Sequence, residues 1–390
     1  MMQTFEIEGH RLKLLRNGAE YFPELIAAID AATQSVYLET YIYAADETGR
    51  QVSDALKRAA RRGVGCYVMM DGFGSAALPQ NWVESLRKAG VEALYYRPES
   101  ARWKIRRHRL RRMHRKLVLV DERLAFVGGI NIADDLTGHP NADAPRMDYA
   151  VRVEGDVVRQ IHASMGRLWN LVSWSSLRRR RTPRLRQKPQ EAEHSAPVAL
   201  LVRDNVRHRR DIEHAYRMAI NLAQQEILIA NAYFLPGRRF RQALLRAAQR
   251  GVRVTLLLQG QVEYRIQHYA TLALYDELLR AGVEIYEYRA SYLHAKVAVI
   301  DGQWATVGSS NIDPFSLWLA REANLVVRDA GFAGSLRADL FDQMSHSAVR
   351  VHQAEWRRHG VAMRLVMRLS YAFMRLLTGL VGQARGDDDV

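Results

Sequence analysis

A chain of 390 residues, 48% hydrophobic and 25% charged, has a globular composition with length for two domains, which excludes a disordered or low-complexity protein. One cysteine, Cys66, excludes an internal disulfide framework, and no window reaches about 18 uncharged apolar residues, so no transmembrane helix is expected. The net charge of +15 implies a polyanionic partner, either nucleic acid or an anionic membrane surface.

The opening "MMQTFEIEGHRLKLLRNG" has no apolar stretch of signal-peptide length, so a cytosolic protein, or one on the cytosolic face of a membrane, is expected. The first strand signal is "YLETYIY" (37–43). A helical stretch (49–64), an apolar strand "GCYVMMDG" (65–72) with Cys66 buried in it, a helix (79–89) and the strand "AGVEALYY" (89–96) follow. Next come the nonapeptide "MHRKLVLVD" (113–121) and "AFVGGINIAD" (125–134). The order then repeats: "LIANAYF" (228–234), a helical stretch (237–252), "RVTLLLQG" (253–260), a helix (264–281), "AGVEIYEY" (281–288), "LHAKVAVID" (293–301) and "ATVGSSNIDP" (305–314). Strands alternating with helices indicate an α/β fold: two similar α/β/α halves packed about a pseudo-twofold axis, with the site at their interface. The expected segments are a first half (1–174), a basic linker with Pro183, Pro189 and Pro197 (175–197), a second half (198–349) and a tail (350–390).

Side chains alternate along a strand, so His114 and Lys116 share one face, as do His294 and Lys296. Asp121 and Asp301 lie an odd number of residues from their histidines, at strand ends, as anchors of the motif. The matching histidines, lysines, aspartates and Asn131 and Asn311 are all separated by 180 positions. Packed together, two His, two Lys and two Asn suit a phosphodiester. The ammonium and amide groups hold the non-bridging oxygens, one imidazole attacks phosphorus and the other protonates the leaving alkoxide. No metal or other cofactor is expected, since the lysines carry the positive charge. Glu39, Asn231 and Asp71 end apolar strands in what look like equivalent places and are candidates for the site wall. Trp103, Trp304, Phe315 and Trp318 flank the motifs and are candidates for an apolar pocket.

The pattern H-x-K-x4-D followed by G-[GS]-x-N, twice in one chain, resembles the phospholipase D superfamily, and the resemblance covers both halves. It implies two phospholipase D-type halves, His114 as nucleophile through a phosphohistidine, and His294 as acid and base. Lys116, Asp121, Lys296 and Asp301 complete the catalytic set. Asn131, Asn311 and Ser309 would contact the phosphate; the first half has Gly129 where the second has Ser309. A downstream carboxylate in each half is expected to orient a histidine, and Asp148 and Glu322 fit.

The surroundings narrow the substrate. Residues 102–116 hold nine Lys and Arg and no acid, and 178–188 hold seven more. In the tail, Arg357, Arg364, Arg368 and Arg375 fall on one helical stripe among wide apolar faces, as suits a helix lying in a membrane interface. With "LETYIY", "DGFGS" (71–75), "RRMHRK" (111–116) and "GSSNIDPFS" (308–316), the chain is most similar to bacterial cardiolipin synthases of the phospholipase D type. This implies a phosphatidyltransferase that joins two phosphatidylglycerols into cardiolipin and glycerol. The expected partners are anionic phospholipid and a membrane surface, without nucleic acid, on the cytoplasmic face of the bacterial inner membrane. A lipid hydrolase or an endonuclease of the same fold are the alternatives.

Overall fold

The computed structural model describes residues 3–98, 111–136, 144–175, 196–204, 207–356 and 360–382. Each half is built on an eight-stranded sheet. The first contains β1 (Thr4–Ile7), β2 (His10–Arg16), β3 (Ser35–Thr40), β4 (Gly65–Asp71), β5 (Glu92–Tyr96), β6 (Lys116–Val120), β7 (Leu124–Gly128) and β8 (Tyr149–Glu154), in the order β1-β2-β8-β7-β6-β3-β4-β5. The second contains β9 (Val198–Arg203), β10 (Glu226–Asn231), β11 (Arg253–Gln259), β12 (Glu284–Tyr288), β13 (Lys296–Ile300), β14 (Trp304–Gly308), β15 (Glu322–Arg328) and β16 (Ala348–Arg350). Read from its other edge, its order is β9-β15-β14-β13-β10-β11-β12-β16, which repeats that of the first sheet from β2 to β5. Among the described strands, β1 and β16, one at an edge of each sheet, lack a counterpart.

The repeated helices form for the same local reason. In Glu47–Arg61 the buried residues Val52, Ala55, Leu56 and Ala59 make one stripe, and in Arg238–Gln249 Phe240, Ala243, Leu244 and Ala247 make the same one. Both stripes cover the outer face of their own sheet. The helices end at Gly63 and Gly251, whose φ of +90° and +87° only glycine adopts without strain. The single helix expected over 264–281 is two, Arg265–Leu272 and Tyr275–Arg280. The turn between them lets Leu274 and Tyr275 both reach the core.

The inner faces of the two sheets share one core. Leu117, Leu119, Val127 and Val151 meet Val297, Val299, Val307 and Leu325 there, with the helices Val157–Ser175 and Ala330–Ser347 packed into the same cluster. The helix Ala330–Ser347 also touches the opposite half: Phe332 packs edge-on against Phe5, and Tyr149 Oη donates to Asp339. Face-to-face stacking of related sheets brings the ends of β6 and β13 to one place. Most of the basic linker, the basic run over 102–110 with Trp103, and Arg357 lie outside the described residues, as do the side chains of Phe315 and Trp318.

Candidate active site

The two motif strands are tied across the halves by backbone hydrogen bonds. His114 N–H donates to the Arg321 carbonyl (2.9 Å) and Arg321 N–H to that of Arg112 (2.7 Å). On the other side His294 N–H donates to Met147 (2.8 Å) and Met147 N–H to Tyr292 (3.0 Å). Each histidine therefore sits beside the carboxylate-bearing strand of the opposite half. His294 Nδ1 lies 2.5 Å from Asp148 Oδ2. His114 Nδ1 lies 3.2 Å from Glu322 Oε2 and 3.1 Å from the Ser309 carbonyl. Acceptors at both Nδ1 atoms favour the tautomer that leaves Nε2 free for chemistry. Asp148 is itself held by Asn17, which takes the positive φ of 54° that Asn tolerates and whose Oδ1 accepts Asp148 N–H (3.0 Å).

The lysines lie on the same side as their histidines. Lys116 Nζ donates to the His114 carbonyl at 2.6 Å, and Lys296 Nζ to that of His294. Each ammonium keeps two further donors for an anion. Asn131 Oδ1 accepts Ile42 N–H (3.1 Å) and directs its amide NH2 elsewhere. Asn311 is buried, and its Oδ1 has no partner among the described residues.

Four expectations change. Asp121 and Asp301 are not at the reacting centre. Asp121 accepts from the N–H groups of Thr33, Gln34 and Ser35, and Asp301 from those of Gln224, Gln225 and Glu226. They pin the far ends of the motif strands to the starts of β3 and β10, so they anchor rather than react. Ser309 is fully buried, and its Oγ donates to Glu322 Oε2 at 2.5 Å, so its hydroxyl serves the carboxylate and not a phosphate. At Gly129 a Cβ would come within 2.3 Å of the Asp148 carboxylate, which explains the missing serine in the first half. Glu39 and Asn231 are not equivalent, because Glu39 faces Leu117 in the register where Ala230 faces Val297. Glu39 instead forms a buried bidentate ion pair with Arg115, on the strand face away from His114. Trp304 packs on Tyr216 in the outer core.

Asp71 and Gln259 do take matching places. Asp71 Oδ2 accepts Met113 N–H (2.8 Å), and Gln259 Oε1 accepts Leu293 N–H (3.0 Å). Each fixes the residue just before a catalytic-motif histidine. Tyr41 is a wall residue that the sequence reading missed: its ring centroid is 4.9 Å from that of His114 and 5.4 Å from Lys116 Nζ. It lies inside "LETYIY", but only the pairing of β3 with β6 shows which of those aromatics faces the site.

Burial dominates the electrostatics, because it favours the neutral form of each base. It draws Lys116 down to about 7 and Lys296 to about 8, and lifts Asp148 to about 6. His114 is lowered by burial, against the opposing pull of Glu322. His294 is held well below the usual range by burial and by Lys296, Arg146 and Lys116. An anion between the two lysines therefore relieves repulsion at both histidines. Among the described residues no cluster of three or more His, Cys, Asp or Glu is placed to hold a metal ion.

The chain as a whole matches a known family. The family model described as "Cardiolipin synthase, PLD-like domain" matches residues 25–169 and 216–345. Cardiolipin synthase B of Shigella flexneri is 41% identical over 377 residues, covering 96% of this chain and 90% of that protein. Cardiolipin synthase B of Escherichia coli K12 is 40% identical over the same shares. Among solved structures, a phosphatidylserine synthase from Haemophilus influenzae superposes with a TM-score of 0.70, at 15% identity, over 97% of this chain and 96% of that one, a likeness of fold. The doubled family match and the identity across nearly the whole length agree: the chain belongs to the cardiolipin synthase family with phospholipase D-like domains.

Proposed function

We propose that this protein is a phosphatidyltransferase that makes cardiolipin and glycerol from two molecules of phosphatidylglycerol. The observation that carries this is the complete doubled site, crossed between halves, in a chain about 40% identical to cardiolipin synthases throughout. His114 Nε2 attacks the phosphorus of the first lipid, and the bond to glycerol breaks. His294 gives its proton to the departing glycerol oxygen. The terminal hydroxyl of the second lipid then passes its proton to His294 and attacks the phosphohistidine, which releases His114. One phosphodiester replaces another, so no nucleotide enters the balance. Lys116 and Lys296 hold the non-bridging oxygens, with the Asn131 and Asn311 amides beside them. Binding the anionic phosphate lifts His294 toward the protonated form that the first step needs.

The test is purified protein with phosphatidylglycerol vesicles and no nucleotide, with products followed by mass spectrometry. Cardiolipin with equimolar glycerol supports the transferase. Phosphatidic acid alone would make it a hydrolase, and absence of lipid turnover would redirect attention to nucleic acid.

The pH dependence follows from the shifted groups. kcat/KM should rise at the acid end as His114, held below the ordinary histidine value by burial, sheds its proton, and fall as His294 loses the proton that the first step needs, with a further fall through about 7–8 as Lys116 and Lys296 lose theirs. Initial rates at low lipid from about pH 5 to about pH 10 check this. A rate still flat at the alkaline end would remove the lysines from phosphate binding.

Membrane association is assigned to the helix Val361–Gly382. Met367, Tyr371 and Met374 pack it on the body, while Val361, Leu365, Leu369, Phe373 and Leu376 are exposed. No described helix is long and apolar enough to cross a membrane. An apolar face beside Arg364, Arg368 and Arg375 suits the interface of an anionic leaflet, the cytoplasmic face of the bacterial inner membrane. Exposed Phe73, Val262 and Tyr264 on loops, and Ile266 at the start of the helix Arg265–Leu272, add apolar surface around the site. Leu369→Glu with Leu376→Glu alters only the exposed face. At about 1.5–3 kcal/mol per buried leucine, vesicle binding should drop more than tenfold in a sedimentation assay. Unchanged binding would take this helix off the membrane.

A further inference from the structure

The two sides of the site differ in chemistry. Next to the first half's Asp71 stand Phe73 and Arg112, with the guanidinium 4.9 Å from the ring centroid, and Tyr41 lies over His114 and Lys116. This cationic and aromatic side suits an anionic lipid phosphate. On the second half's side a small recess is lined by Tyr233, Gln259, Glu263, Tyr264 and Gln267. It adjoins the reacting centre. Gln259 holds the N–H of Leu293, the neighbour of His294, and Tyr233 follows Asn231, whose register partner is Lys296. The Glu263 charge acts on Lys296, raising its affinity for a proton.

Part of the hydrogen-bonding capacity of this recess is not spent on the fold. Gln259 differs from its counterpart Asp71 in carrying an amide NH2, and that nitrogen is buried with no hydrogen-bond partner among the described residues. Glu263 is exposed and is oriented by the Tyr233 hydroxyl, which donates to it. A carboxylate there repels a phosphodiester but accepts hydrogen bonds from hydroxyl groups, and the free amide donates one. A pair of neighbouring hydroxyls, one giving and one receiving, satisfies both.

We infer that Glu263, Tyr233 and Gln259 form the acceptor subsite, which holds the glycerol hydroxyls of the second phosphatidylglycerol so that its terminal oxygen faces the phosphohistidine. This rests on the transferase reading. Glu263 accepts from the hydroxyl that does not react, while the reacting hydroxyl gives its proton to His294 and its oxygen to phosphorus, with His114 leaving. These residues are positioning and specificity groups and make no bond to phosphorus.

The experiment measures capture of the phosphatidyl group by free glycerol and by 1-propanol, which lacks the second hydroxyl, with the full-length protein on phosphatidylglycerol vesicles. Glu263→Ala should raise the half-saturating glycerol concentration and lower the glycerol-over-propanol preference about tenfold, with phosphatidic acid rising relative to cardiolipin. Gln259→Glu keeps an acceptor for Leu293 N–H, as Asp71 does for Met113, but loses the donor, and should shift the preference in the same direction. An unchanged preference, or equal loss with both alcohols, overturns the subsite while leaving the transferase reading intact. Failure of the wild-type protein to turn over phosphatidylglycerol overturns that reading, and the subsite with it.

Discussion

Changing either His114 or His294 to alanine is expected to reduce cardiolipin formation by at least about 10³–10⁴-fold, and the double variant should be little slower than the worse single one. The reason is geometric. Both imidazoles act on the same phosphodiester, His114 at phosphorus and His294 at the leaving and entering oxygens, so removing one leaves the other without a step to complete. The crossed arrangement makes the loss shared between halves: His114 is oriented by Glu322 and His294 by Asp148. Neither histidine belongs to the apolar core clusters, so the fold should survive truncation. Lipid products and glycerol from the three variants, with circular dichroism as the folding check, decide the matter. A single variant that keeps a tenth of wild-type activity would exclude a two-histidine mechanism.

The second large effect concerns stability. Arg115 lies between His114 and Lys116 but points to the opposite face, where it meets Glu39 and donates to Ser164 Oγ at 2.9 Å. Both partners are almost fully buried. Arg115→Ala leaves the Glu39 carboxylate in the core without its ion-pair partner, and Glu39→Ala does the same to the guanidinium. Either should cost about 3–5 kcal/mol in urea denaturation. The second half shows that the fold does not require the pair, since Ala295 and Ala230 occupy the matching positions. Arg115→Ala with Glu39→Ala should therefore be more stable than the sum of the two losses implies, by roughly 2 kcal/mol. Strict additivity would show that the charges are not coupled. Because Arg115 anchors the strand that presents His114, the single variants should also lose activity below their unfolding midpoints.

Much of the site is legible in the sequence. The parity of H-x-K on a strand puts each histidine and lysine on one face, and that needs only backbone geometry. The repeat at 180 positions shows that two such faces exist, and enough matching segments surround them to imply two similar halves. The anchoring role of Asp121 and Asp301 was also readable from their odd spacing. Their inclusion among the catalytic residues came from the family resemblance alone. Local pattern was less reliable where two neighbouring positions compete. Glu39 and Asn231 looked equivalent because both end an apolar run, yet one residue of register sends Glu39 to the other face of the sheet.

By itself the sequence determined the repeated strands around the motifs, the repeated unit and the set of groups able to bind and cleave a phosphodiester, because hydrophobic periodicity and residue chemistry are local properties. Tertiary structure alone decided which carboxylate serves which histidine, that the Ser309 hydroxyl supports Glu322, that Tyr41 walls the site, and which narrow face of the C-terminal helix is spent on the body. These depend on how two sheets stack face to face across a shared core. Nothing along one strand encodes the position of a partner from the other half. That position is set when the apolar inner faces find the one packing that buries both.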